Sequence, residues 1–235
     1  MNPEPRPELR LFCFPEAGGN SSSFGKWPAN LPATIEVRAI ELPGRQSRFK
    51  ERPVDRMSVL ARTLAEELTP SLDLQYALFG HSMGALLAFE IARELRRRRA
   101  PQPVHLFVSA QSAPHLPRPR TLLHQLPDQL FLQQAVNLLP PAALQDAELL
   151  RLIMPTLRAD VALYETYSYS AEPPLACPIA ALGGVTDFSV NQMQLNAWRM
   201  QTTGGFNLFM FRGNHSYINR EAPLVLQTIR SQLRR

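Results

Sequence analysis

With 235 residues, 45% of them hydrophobic, the chain can bury the core of one large α/β domain and is too short for more than two small ones. Two cysteines in apolar settings, Cys13 and Cys177, argue against a disulfide scaffold or a cysteine metal site, and no apolar stretch approaches the roughly 18 residues that span a bilayer. A net charge of +5 favours acidic partners, but the arginines are scattered and not interleaved with aromatics, which weighs against nucleic acid. The opening Met1-Asn2-Pro3-Glu4-Pro5-Arg6-Pro7 has no signal-peptide pattern, so a soluble protein of the reducing cytoplasm is expected.

In chain order, a strand-like run at 9–14 leads into the glycine-rich Pro15-Glu16-Ala17-Gly18-Gly19-Asn20, and a second run spans 35–42. A helical pattern at 58–68 precedes the apolar run 76–79, a second helix at 83–99 and a strand at 105–110. Arg96, Arg97, Arg98 and Arg99 close that second helix. Cations there complement the negative end of the helix dipole, so a solvated helix end is expected.

The alternation then breaks. From 115 to 174 there is no convincing strand, only proline-punctuated amphipathic segments such as 128–132 and 147–153. Strands at 179–183 and 206–211 and helices at 191–202 and 221–233 restore the pattern, with no internal repeat. Strands alternating with helices imply a mostly parallel central sheet flanked by helices on both faces, in a single domain covering 1–235. A helical insertion at 115–174, after a central strand, would lie over the strand ends where ligands bind in such sheets. It reads as a lid, and its proline-rich boundaries suggest that it is mobile.

Chemistry is concentrated at the strand ends. Gly80-His81-Ser82-Met83-Gly84 lies between an apolar strand and a helix, the context in which G-x-S-x-G holds a serine hydroxyl exposed on a sharp turn. A serine needs a base. His215 follows the last strand through Arg212-Gly213-Asn214 and should emerge at the same sheet edge, whereas His81 should point away, His105 opens a strand, and His115 and His124 lie at or in the insertion. Asp187, after 179–186, is the orienting acid expected between them in the chain. Asp128, Asp146 and Asp160 compete, but lie in the insertion as expected helix caps or solvated positions. The N–H groups of Met83 and Ala17 are the candidate oxyanion donors, and Gly18-Gly19-Asn20 also reads as a turn into a helix. Neither G-x-x-x-x-G-K-[ST] nor G-x-G-x-x-G is present.

The runs Phe14-Pro15-Glu16-Ala17-Gly18-Gly19, Glu41-Leu42-Pro43-Gly44-Arg45, Gly80-His81-Ser82-Met83-Gly84, Leu126-Pro127-Asp128, Leu157-Arg158-Ala159-Asp160, Tyr167-Ser168-Tyr169, Cys177-Pro178-Ile179 and Gly183-Gly184-Val185-Thr186-Asp187 together resemble a discrete type II thioesterase of the α/β-hydrolase superfamily, the editing enzymes of polyketide and nonribosomal-peptide synthases. The resemblance implies an α/β-hydrolase fold, Ser82 as nucleophile, His215 as base, Asp187 as its orienting acid, and Ala17 and Met83 as the oxyanion hole. It implies hydrolysis, without cofactor or metal, of acyl groups from the phosphopantetheine arm of acyl or peptidyl carrier domains met in trans, and the composition and apolar pattern add the expectation of a monomer that binds neither nucleic acid nor membrane. This chain departs from the family at Glu16, where histidine is common, and around the catalytic histidine, where Asn214 and Ser216 replace a glycine and an aromatic. A small-molecule carboxylesterase or lipase on the same scaffold, a non-catalytic binding module, and acyl transfer to an alcohol or amine are the alternatives.

Overall fold

The structure, a computed structural model, describes residues 6–118, 122–139, 143 and 145–234. Six strands, β1 (Leu9–Phe14), β2 (Ile35–Ala39), β3 (Gln75–His81), β4 (His105–Ser109), β5 (Ile179–Gly184) and β6 (Phe206–Phe211), form one sheet in the order β2-β1-β3-β4-β5-β6. Every pairing is parallel. The inner strands β4 and β5 are buried along their whole length, as continuous apolar runs covered on both faces should be, while the edge strands β2 and β6 are half-buried. The chain runs from β1 outward to β2 and then crosses back to place β3 on the other side of β1. The loops after β1 and β3 therefore diverge, opening a crevice at their carboxyl ends, the place where such sheets bind ligands.

Helices cover the sheet with apolar faces. In α1 (Met57–Leu68) the buried residues are Met57, Leu60, Ala61, Leu64, Ala65 and Leu68, the three-and-four spacing of one helical face. The central α2 (Met83–Arg97) is buried almost all round in its first three turns. Two short helices, α3 (Asp128–Ala135) and α5 (Gln192–Asn196), the long α4 (Ala147–Glu165), α6 (Tyr217–Arg220) and α7 (Ala222–Leu233) complete the set.

Three expectations change in detail. β2 stops at Ala39, and Ile40 N–H makes the last ladder bond, to Cys13 O, before the chain turns away toward Pro43. The helix expected over 191–202 is α5 followed by a tighter 3-10 segment, Ala197–Gln201, in which fully buried Trp198 donates its indole N–H to Gln111 O. The arginine cluster is an exposed helix end, as expected, but three of its members are held in ion pairs. Arg96 donates to the Pro173 and Pro174 carbonyls and to Glu172, Arg97 pairs with Glu94 and Glu172, and Arg98 with Glu94 and Glu66. The contacts to Glu172, Pro173 and Pro174 fasten the chain leaving the insertion to the end of α2, and Arg98 ties that end to α1.

Between 115 and 174 the described residues contain α3, α4 and short 3-10 turns. They share a small core of Phe131, Ala135, Leu139, Leu157 and Val161, distinct from the main one. Arg158 pins it from within, donating to the His124 and Leu126 carbonyls and to Asp128, with its guanidinium 4.2 Å from the Phe131 ring centroid. Among the described residues no helix is long and apolar enough to cross a membrane.

Candidate active site

Ser82 joins β3 to α2 with φ 53° and ψ −120°, a strained conformation for a residue with a Cβ. Its N–H donates to Ser109 O at 2.8 Å, which anchors the turn on β4. The flanking glycines are required by contact: a Cβ on Gly80 would fall 2.0 Å from Gly84 O, and one on Gly84 2.2 Å from Phe14 O. β1, β3 and α2 can thus meet only without side chains, and the crowding presents the serine hydroxyl above the sheet.

The other two chain segments converge by a similar device. A Cβ on Gly184, the last residue of β5, would stand 2.4 Å from Gly213 O, so its absence lets the β6 loop close against the β5 loop. Val185 N–H and Thr186 N–H donate to Phe211 O and Gly213 O, tying the loops together. As a result His215 Nε2 lies 2.9 Å from Ser82 Oγ, and His215 Nδ1 lies 2.8 Å from Asp187 Oδ2. An ionised Asp187 accepts from Nδ1–H and leaves Nε2 to accept the serine proton. The three groups read from the sequence as one relay are hydrogen-bonded in line.

Ser189 was not singled out in the sequence. Its backbone N–H and its hydroxyl both donate to Asp187 Oδ1, at 2.8 and 2.6 Å, and its oxygen lies 2.9 Å from His215 Nδ1. The signal was present, since Asp-x-Ser is a common turn in which the aspartate accepts from the residue two positions on. Burial opposes ionisation of Asp187, but hydrogen bonds from His215 and Ser189 together outweigh it and hold the carboxyl below its ordinary range.

His81 points away from the hydroxyl, as expected. It is buried, its Nδ1 sits 2.8 Å from Ser109 Oγ, and that hydroxyl reaches Tyr217 Oη at 2.6 Å. Burial, assisted by nearby His215, lowers its pKa to about 3, so a neutral ring lies beside His215, tilted by 45° with the centroids 5.3 Å apart. The remaining histidines have other partners: His115 pairs with Gln201, His124 with Glu165, and His105 stacks on Phe107. Of the competing acids, Asp146 caps α4 and Asp128 opens α3, as expected. Asp160 is a correction: it is neither a cap nor solvated but 1% exposed and bonded to Arg45 and to Gly18 N–H.

Ser82, His215 and Asp187 open onto a cavity of about 660 Å³ that Ala17 and Met83 also line. Met83 N–H, at the first position of α2, has no acceptor within the helix, and Ala17 N–H has none among the described residues. Leu123, Leu138, Val161 and Tyr164 from the insertion supply one wall and Phe188 stands fully exposed at the rim. Behind the Ala17 loop, burial pushes the Glu16 carboxyl above its usual range, and its Oε2 has no hydrogen-bond partner. Asn214 and Ser216 line the cavity beside His215, joined by a Ser216 N–H to Asn214 Oδ1 bond. Among the described residues no group of three His, Cys, Asp or Glu side chains could hold a metal ion.

The thioesterase domain family matches residues 9–233. The chain belongs to the thioesterase family. A similar curated relative, the gramicidin S biosynthesis protein GrsT of Aneurinibacillus migulanus, is 41% identical over 97% of this chain and 90% of its own length. The RedJ thioesterase from the prodiginine pathway of Streptomyces coelicolor superposes with a TM-score of 0.90 at 39% identity, covering 99% of this chain and 95% of RedJ. The type II thioesterase BorB, from the borrelidin biosynthetic cluster, gives 0.86 at 34% identity over 98% and 95%. The likeness to a type II thioesterase of the α/β-hydrolase superfamily therefore holds across the whole chain, and the thioesterase is a thioester hydrolase.

Proposed function

We propose that Ser82, His215 and Asp187 carry out two-step acyl transfer to water, releasing acyl groups from the phosphopantetheine arm of carrier proteins. His215 removes the Ser82 proton as Oγ attacks the thioester carbonyl, and the tetrahedral oxyanion accepts from the N–H groups of Ala17 and Met83. Protonated His215 then gives its proton to the departing thiol. In the second step it activates water, which releases the acid and returns Ser82. Asp187 holds the imidazole in the working tautomer and offsets its positive charge, while Ser189 holds Asp187.

The observation that carries this reading is the continuous hydrogen-bonded line from Asp187 through His215 to Ser82, ending in a cavity that Ala17 and Met83 also line. Every proton and electron pair comes from these side chains, the substrate and water, so no cofactor enters. GrsT and BorB take their names from gramicidin S and borrelidin biosynthesis. That supports a role in polyketide or nonribosomal-peptide assembly, editing or releasing chains in trans. A net charge of +5 suits the usually acidic carrier domains. The enzyme acts as a cytoplasmic monomer without nucleic acid or membrane, and residues 115–174 form a lid whose inner face selects the acyl group.

The test compares one acyl group presented as a carrier-protein thioester and as a free ester. A kcat/KM at least about tenfold higher for the carrier substrate is expected from the added contacts of a docked partner. Equal or reversed preference would favour a free-ester hydrolase on this scaffold.

A further inference from the structure

Two runs singled out in the sequence, Leu42-Pro43-Gly44-Arg45 and Leu157-Arg158-Ala159-Asp160, contain none of the reacting groups, yet the fold joins them beneath the Ala17 loop. Arg45 grips Asp160 through both ends of its guanidinium, Nη1 to Oδ2 at 2.9 Å and Nη2 to Oδ1 at 2.7 Å. The two side chains are 9% and 2% exposed. Asp160 Oδ2 also accepts from Gly18 N–H at 2.8 Å, and Arg45 Nη1 donates to Gly19 O at 2.7 Å. One helical turn earlier on α4, Thr156 Oγ1 donates to Gly44 O at 2.7 Å, so two rungs fasten the helix here.

The peptide planes of this loop decide where Ala17 N–H points. Gly19 N–H donates to Glu16 O at 3.0 Å, and because the peptide is planar and trans, Ala17 N–H must point opposite to that carbonyl. The next plane is fixed by the Gly18 bond to Asp160. Gly18 has φ +74°, and a Cβ there would sit 2.7 Å from Leu138 O, so the insertion rests directly on the turn. With both neighbouring planes held, the donor has one direction. Burial pushes the Asp160 carboxyl up, while Arg45 and the Gly18 N–H pull it down.

We propose that Asp160, clamped by Arg45, is a positioning residue for the oxyanion hole, fixing Gly18 and so aiming the Ala17 N–H from helix α4. This rests on the oxyanion role given to Ala17 above. A surface ion pair could not do this, since an exposed pair is too weak and mobile to hold a backbone amide, whereas a buried bidentate one is geometrically strict. The consequence for the insertion is that the turn of α4 from Thr156 to Asp160 stays with the site when other parts of the lid move.

The test measures thioester hydrolysis by Asp160→Asn and Arg45→Lys, with two inhibitors: a trifluoromethyl ketone, which forms an oxyanion on Ser82, and an unreactive thioether analogue of the substrate. In folded Asp160→Asn, kcat should fall about tenfold to a hundredfold with KM nearly unchanged, as expected for a misplaced donor. The ketone should lose affinity by a similar factor and the thioether should not. Arg45→Lys, which keeps the Gly18 bond but loses the fork, should lie between. Unchanged kcat, or equal losses for both inhibitors, would overturn the proposal as showing a merely structural pair. Should Asp160→Asn not fold, Arg45→Lys and amide exchange in the unaltered enzyme decide: Gly18 N–H should exchange at least about a hundredfold slower than an open loop amide, and unprotected exchange would overturn the proposal. An active Ser82→Ala would remove the underlying reading instead, while an inactive Ser82→Ala beside an unaffected Asp160→Asn removes only this one.

Discussion

At the carboxyl edge of the sheet, position is set by backbone contact and apolar burial, whereas the insertion above it is held largely by arginines. Gly80, Gly84 and Gly184 let main chains touch where a Cβ would collide, and β4, β5 and all of β3 beyond Gln75 are buried beneath them. In the insertion, a five-residue core is supplemented by Arg158 over Phe131 and by Arg118, whose guanidinium lies 4.6 Å and 5.0 Å from the Tyr164 and Tyr167 ring centroids. The edge carries Ser82, Asp187 and His215, proposed above as the reacting groups, and its close backbone contacts leave little room for movement. Outside the buried Arg45–Asp160 clamp, the insertion lines the cavity through a smaller core and partly exposed polar contacts, so the two regions are expected to differ in stiffness.

Breaking the edge should cost most. Gly84→Ala places a methyl 2.2 Å from Phe14 O and 2.6 Å from Pro15 O, against the strand that leads to the oxyanion loop. Overpacking of backbone on backbone should destabilise the fold by about 3 kcal/mol and lower kcat by more than about a hundredfold, read by denaturant unfolding and initial rates. A variant with full stability and activity would show that the edge is not sterically fixed.

Arg158→Met should loosen only the insertion, at about 1–3 kcal/mol for the lost hydrogen bonds and ring contact. Amides of 122–139 should exchange faster while those of β3, β4 and β5 do not, and KM should change more than kcat. Uniform acceleration across the sheet would erase the contrast between the two regions.

The smallest effect expected is that of Ser189→Ala. The Asp187 carboxyl is depressed from 3.8 in the folded state, so it adds stability above that value, and this is lost as pH falls through the depressed one. Removing one donor should cost about 1 kcal/mol at pH 7 and progressively less below about pH 4. A deficit that does not shrink in acid would mean that Ser189 does not act through the Asp187 charge.

The strands were legible because doubly covered parallel strands read as unbroken apolar runs, and Ser82, Asp187 and His215 were legible because each leaves the carboxyl end of one. Asp160 was misread because its partner Arg45 is 115 residues away and nothing local marks burial. Arg96 and Arg97 do end the helix in solvent as read, but their acceptors near Glu172, more than seventy residues on, had no local signal. The split of 191–202 follows from the burial of Trp198, which a helical pattern cannot foresee. The amphipathic segments of the insertion were visible as helices, but the polar contacts that hold them to the Ala17 loop were not.

The central claim, that one relay activates one serine, is tested most directly by intact-mass measurement of the rate at which a fluorophosphonate labels the enzyme and its His215→Ala variant. The account predicts a single adduct, on Ser82, forming at least about a thousandfold more slowly without the imidazole. An adduct at another residue, or labelling of His215→Ala at the original rate, would contradict it.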